Sequence, residues 1–231
     1  MNLQTFNKIG YGGVMTMKRK LRGIAAGLAA IVCCVYASPM SVGASPTSQL
    51  QQLISSGTLT TDILDASQVT VASPSVTLAA LNVSTSCQTT TGTFGTNAQR
   101  IYVDNPGATA NGWVLSIAAT SGNTATWTNG SNTYAFNNAA GSGCTGGQMT
   151  IDPSVGTVTP QSPATNTGIS KGTSTAFNQG TTDSIQLVTA SSSANAIWRG
   201  YLTGVSVSQK VPASTPAGSY TLSLTQTVVS Q

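Results

Sequence analysis

The chain has 231 residues, with nine Lys or Arg against five Asp, no Glu and no His, for a formal charge of +4. Without His, both the usual general base and the commonest zinc ligand are missing, and charged residues are 6% of the chain where roughly a quarter is typical. Lys8, Lys18, Arg19, Lys20 and Arg22 all lie in the first 22 positions, so the remainder carries four basic and five acidic residues, net −1, and could not neutralise a row of phosphates.

Residues 1–44 read as an N-terminal extension and a secretory signal peptide. Lys18 to Arg22 form the positive region, Gly23 to Tyr36 the apolar stretch, and Val42 and Ala44 suit a cut before Ser45. The apolar stretch is short for a membrane span, so no membrane contact is expected after cleavage. Cys33 and Cys34 leave with the signal. Cys87 and Cys144 remain, and two thiols in an exported chain predict one disulfide. The loop it would close has about 58 residues, which corresponds to about 4 kcal/mol of stabilisation.

Residues 45–68 are a Ser/Thr/Gln-rich lead-in. Leu50, Leu53 and Ile54 fit a short helix, with a flexible spacer as the alternative. From residue 69 to 231 the pattern is β. Strands are predicted at 69–71, 76–83, 100–104, 113–118, 148–151, 185–188 and 197–207. A hairpin is predicted across 124–136, turned by Asn129-Gly130. Residues 85–97 and 137–147 read as turn-rich, and 153–183 as irregular. Tyr220, Leu222 and Leu224 alternate with Thr221, Ser223 and Thr225 in a closing strand. The fold class is therefore an all-β antiparallel sandwich.

No catalytic constellation, metal spacing or phosphate loop is present, so no cofactor and no enzymatic activity are expected. The five Asp residues are scattered and read as turn formers. The aromatics Tyr102, Trp113, Trp127, Tyr134, Trp198, Tyr201 and Tyr220 lie on or beside predicted strands. Such rings are core, or they form a sugar-stacking platform. Trp127, beside Asn129-Gly130, is the ring expected to be exposed.

Asp104-Asn105-Pro106-Gly107 followed by Gly112-Trp113-Val114-Leu115 resembles the proximal motif of the WxL domain of bacterial surface proteins. Ala217-Gly218-Ser219-Tyr220, with Leu224 four residues on, resembles its distal motif, with Gln226 where that family usually has Trp. The resemblance implies a secreted cell-surface protein held non-covalently on the cell wall through peptidoglycan, together with partner surface proteins. It also implies that Trp113, Leu115, Tyr220 and Leu224 shape a binding site or its supporting core. Two other readings fit the same residues: a self-associating subunit of a pilus or surface fibre, and a secreted adhesin or carbohydrate-binding module.

Overall fold

The computed structural model describes residues 51–138 and 146–231. The signal peptide, Leu50 and Cys144 lie outside the described residues, so the Cys87–Cys144 pairing stays an expectation. Among the described residues, fourteen strands follow in chain order. The first seven are β1 (Thr60–Leu64), β2 (Gln88–Phe94), β3 (Arg100–Pro106), β4 (Trp113–Ala119), β5 (Thr126–Thr128), β6 (Thr133–Ala135) and β7 (Gln148–Asp152). The others are β8 (Thr157–Pro160), β9 (Ile169–Lys171), β10 (Thr175–Ala176), β11 (Ser184–Ala190), β12 (Ile197–Thr203), β13 (Val205–Val211) and β14 (Leu224–Ser230). The chain is all-β, and every pairing between these strands is antiparallel.

Three four-stranded sheets form, ordered β1-β3-β12-β8, β10-β7-β13-β2 and β14-β4-β11-β9, with β5-β6 as a separate hairpin. The first two sheets are halves of one creased surface. The chain passes between them at β2 to β3, at β7 to β8 and at β12 to β13. Gly95 and Gly204 stand at two of those passages with φ of +77° and +75°, a conformation that side chains disfavour. The Gly204 N–H donates to the Gly95 carbonyl at 2.8 Å, which closes the crease. A Cβ on Gly95 would come within 2.9 Å of the Leu202 carbonyl oxygen. Glycine thus lets the sheet turn a corner.

The third sheet contributes the alternating strand β4, whose Trp113, Leu115, Ile117 and Ala119 are all buried. They join Ile101, Ile151, Leu187, Trp198 and Leu202 in one hydrophobic cluster drawn from all three sheets. Full burial of each large apolar side chain contributes about 1.5–3 kcal/mol, so period-two alternation is what specifies the core.

Several expectations are corrected. Strand β1 lies within the stretch read as a lead-in, where Ile63 and Leu64 bury against β3. No helix forms at 51–59, where Leu53 and Ile54 are exposed. Residues 76–83 are extended but join no ladder, whereas 88–94, expected to be turn, are strand β2. The irregular reading of 153–183 gives way to β8, β9 and β10. The 124–136 hairpin turns through Asn129–Asn132 rather than Asn-Gly alone, since Thr128 pairs with Thr133. Asn129 Oδ1 accepts from the N–H groups of Ser131 and Asn132 there. The closing strand begins at Leu224 rather than Tyr220.

Candidate functional site

Cross-strand pairing in the hairpin sets Trp127 opposite Tyr134. Their rings stack with centroids 6.1 Å apart and planes 17° from parallel. Thr128 and Thr221 exchange backbone hydrogen bonds of 3.0 and 2.8 Å. That bridge brings Tyr220 onto Tyr134, with centroids 5.1 Å apart and tilted by 59°. Tyr220 is held in turn by its hydroxyl, which donates to the Pro216 carbonyl at 3.0 Å. Trp127 Nε1 donates to Gln209 Oε1 at 2.8 Å. Three half-buried rings are therefore fixed by the backbone and by one buried amide. Burial, and then the neighbouring Tyr220, push the Tyr134 hydroxyl up to about 12, so it stays a neutral donor at any physiological pH.

These rings line a groove of about 520 Å³. One wall is the extended segment Val76–Ser84 and the other is Val211–Thr221 with its turn. The Ser214 N–H donates to the Ser84 carbonyl at 2.7 Å and ties the two walls together. Asn82, Gln88, Thr90, Thr215 and Ser219 add amides and hydroxyls, and no charged side chain is among the described residues of its lining. A second cavity of about 600 Å³ shares Val76, Leu78, Trp127, Tyr220 and Thr221 with the first. Its floor is apolar, from Ile117, Met149, Ile151 and Val207, and Leu222 and Leu224 stand at its side. The two cavities form one trough, aromatic and polar at one end and aliphatic at the other.

Of the residues singled out in the sequence, Trp127 and Tyr220 meet in the groove and Leu224 lines the aliphatic end. Trp113 and Leu115 are not at the surface; they are 1% and 0% exposed. Trp113 packs on Trp198 with centroids 5.2 Å apart. Gly112, at φ +105°, lets the chain enter β4 with its Cα against the Ala190 carbonyl, where a Cβ would clash. The Gly-Trp-x-Leu segment thus supports the core instead of touching a ligand. Gln226 donates from Nε2 to Thr61 Oγ1 at 3.0 Å. It links β14 to β1 across two sheets, a bond that an indole in its place could make only by donating from another position. Tyr134 is the ring that sequence reasoning left out of the site. Its place opposite Trp127 across the turn was the available signal.

The Asp residues serve structure. Asp62 accepts from the Ile63 N–H and Thr70 Oγ1, Asp65 from the Ser67 and Val69 N–H groups, and Asp152 from the Ser154 N–H. Asp183 accepts from the Gly180 N–H, and Asp104 pairs with Arg199. Among the described residues, no three His, Cys, Asp or Glu side chains gather as a metal site would require. Comparison with protein-family models, with curated proteins and with solved structures returned no match.

Proposed function

We propose that this chain is a secreted, non-enzymatic surface protein that is retained on the bacterial cell wall, and that the Trp127–Tyr134–Tyr220 groove is where it holds wall glycan. The observation that carries the reading is the groove's chemistry: three fixed rings beside amides and hydroxyls, with no charged side chain among the described residues of the lining. Sugar rings present C–H faces that stack on aromatic surfaces and hydroxyls that bond to amides. An uncharged groove holds such a polymer without ionic contacts, so retention should resist salt. The resemblance at Gly112–Leu115 and at Ala217–Leu224 points to the same class of protein, with Trp113 and Leu115 in a supporting role.

The test is sedimentation with isolated cell walls. The chain should pellet with the walls in low and high salt, and Trp127→Ala should release it while leaving the circular dichroism spectrum unchanged. A wild-type chain that stays in the supernatant would overturn the proposal.

A further inference from the structure

We propose that the aliphatic end of the trough takes the lead-in of a second copy, Gln52–Ser56, as an added strand, joining copies head to tail. Three observations meet here. The first is a strand without a ladder. Val76–Val83 has the composition and extended path of a strand, yet among the described residues Ala79 alone donates its backbone N–H, to the Thr91 carbonyl at 2.8 Å. Because N–H groups alternate along an extended chain, those of Val76, Leu78 and Ala80 point away from β2 and are free to pair with an incoming strand.

The second is an apolar cavity beside that free edge. Ile117, Met149, Ile151 and Val207 are at most 4% exposed overall, yet they floor a space of about 600 Å³. The third is an uncovered apolar pair on the same chain. Leu53 and Ile54 are 89% and 84% exposed, more than any other large hydrophobic side chain among the described residues.

Charge matches the lead-in to the cavity. Residues 45–61 carry no charge, and neither do residues 66–99, which include the free edge. Among the described residues of the cavity lining the one charged side chain is Asp62, and its carboxylate already accepts from the Ile63 N–H and Thr70 Oγ1. Open edges are normally guarded by Lys, Pro or bulges; here Pro74, at the mouth of the cavity, is the one such residue. Within one copy the lead-in is held elsewhere. The Gly57 N–H donates to the Pro106 carbonyl at 3.1 Å, and Pro106 does not line the trough. Alternation along the added strand sends one of Leu53 and Ile54 to the cavity floor and the other to the opposite face of the strand. Such a contact joins two different surfaces, so it propagates into an open chain or closes into a ring.

The experiment uses the chain as recovered from its native cells. Light scattering should show a ladder of oligomers that grows with concentration. Leu53→Asp combined with Ile54→Asp, both exposed in the single copy, should reduce the ladder to monomer and leave wall sedimentation intact. Tyr134→Ala should do the reverse, so the two proposals fail separately. Mixing a Leu53→Cys chain with a Ser75→Cys chain should give a covalent heterodimer, which docking within one copy cannot produce. A monomer at every concentration, a ladder that survives the two Asp substitutions, or a mixture that gives no heterodimer would each overturn the proposal.

Discussion

Trp127 and Gln209 are 82 positions apart, and a single 2.8 Å hydrogen bond from the indole Nε1 to the amide Oε1 fixes the ring at the mouth of the groove. Gln209 is 0% exposed on β13. Its Nε2 is also used, donating to the Lys210 carbonyl at 2.7 Å. Both ends of the amide are satisfied, which is the condition for burying one without a large penalty.

Gln209→Leu should therefore do two things. The indole N–H and the Lys210 carbonyl both lose a partner, at a cost of about 1–3 kcal/mol for each group left dry. The ring also loses its anchor, so binding to isolated walls should weaken by about tenfold, the equivalent of roughly 1.4 kcal/mol. Urea denaturation and wall sedimentation read the two effects apart. Unchanged stability would mean that water replaces the amide.

The two buried indoles at the centre of the fold make unequal use of their N–H groups. Trp198 Nε1 donates to the Thr165 carbonyl at 3.0 Å, whereas Trp113 Nε1 is buried with no partner among the described residues. Both rings are 1% exposed and pack on each other. Trp113→Phe removes an orphan donor along with some contact area, while Trp198→Phe gives up the hydrogen bond to the Thr165 carbonyl. Trp198→Phe should thus be the more destabilising by about 1 kcal/mol. Either residue changed to Ala should cost about 3–5 kcal/mol. Denaturation midpoints of the four variants test the order, and equal costs for the two Phe variants would contradict it.

Tyr134 gives the fold an alkaline limit. Its folded-state pKa is raised to about 12 by burial first and by Tyr220 second, against about 10 in the unfolded chain. The folded state therefore keeps the proton longer, and unfolding releases it between those values. The contribution is fully present below pH 10 and is lost as pH rises toward 12. Tyr134→Phe should flatten that part of the stability profile. Denaturation at pH 9 and pH 11 in both chains measures it, and parallel losses would show that Tyr134 is not the source.

How much of this could be read in the sequence follows from what each segment packs against. β4 was legible because Trp113, Leu115 and Ile117 alternate and all three face the core. β2 was not, because its inward positions are Thr90, Gly92 and Phe94 rather than a run of hydrophobes. Thr90 turns its hydroxyl to the Ala79 carbonyl, and a Cβ on Gly92 would meet Leu78. The segment 76–83 showed the converse: its pattern is that of a strand, but pattern alone does not supply a pairing partner. The alternation from Tyr220 to Leu224 was read as part of the closing strand, but the ladder starts only at Leu224. Upstream of Leu224 the chain leaves β4 and bridges the hairpin at Thr128. The groove itself depends on that bridge, a contact across 93 positions that no local pattern announces.

The crease makes a last, quantitative claim about glycine. Gly204 and Gly95 share nearly the same φ, +75° and +77°, but not the same surroundings. A Cβ on Gly204 would meet only the Gly156 Cα, at 3.8 Å, which is ordinary contact. Gly204→Ala should therefore cost only the left-handed conformation, about 1–2 kcal/mol. A Cβ on Gly95 would lie 2.9 Å from the Leu202 carbonyl oxygen and 3.1 Å from the Thr203 Cα. These are backbone atoms of the neighbouring strand and cannot swing away as a side chain would, so Gly95→Ala must also move β12 against β3. The expected order is Gly95→Ala well below Gly204→Ala in denaturation midpoint, with Gly95→Ala also broadening the amide spectrum around Leu202. Equal midpoints would show that the corner yields, and that the crease is set by the strands flanking it rather than by the glycines within it.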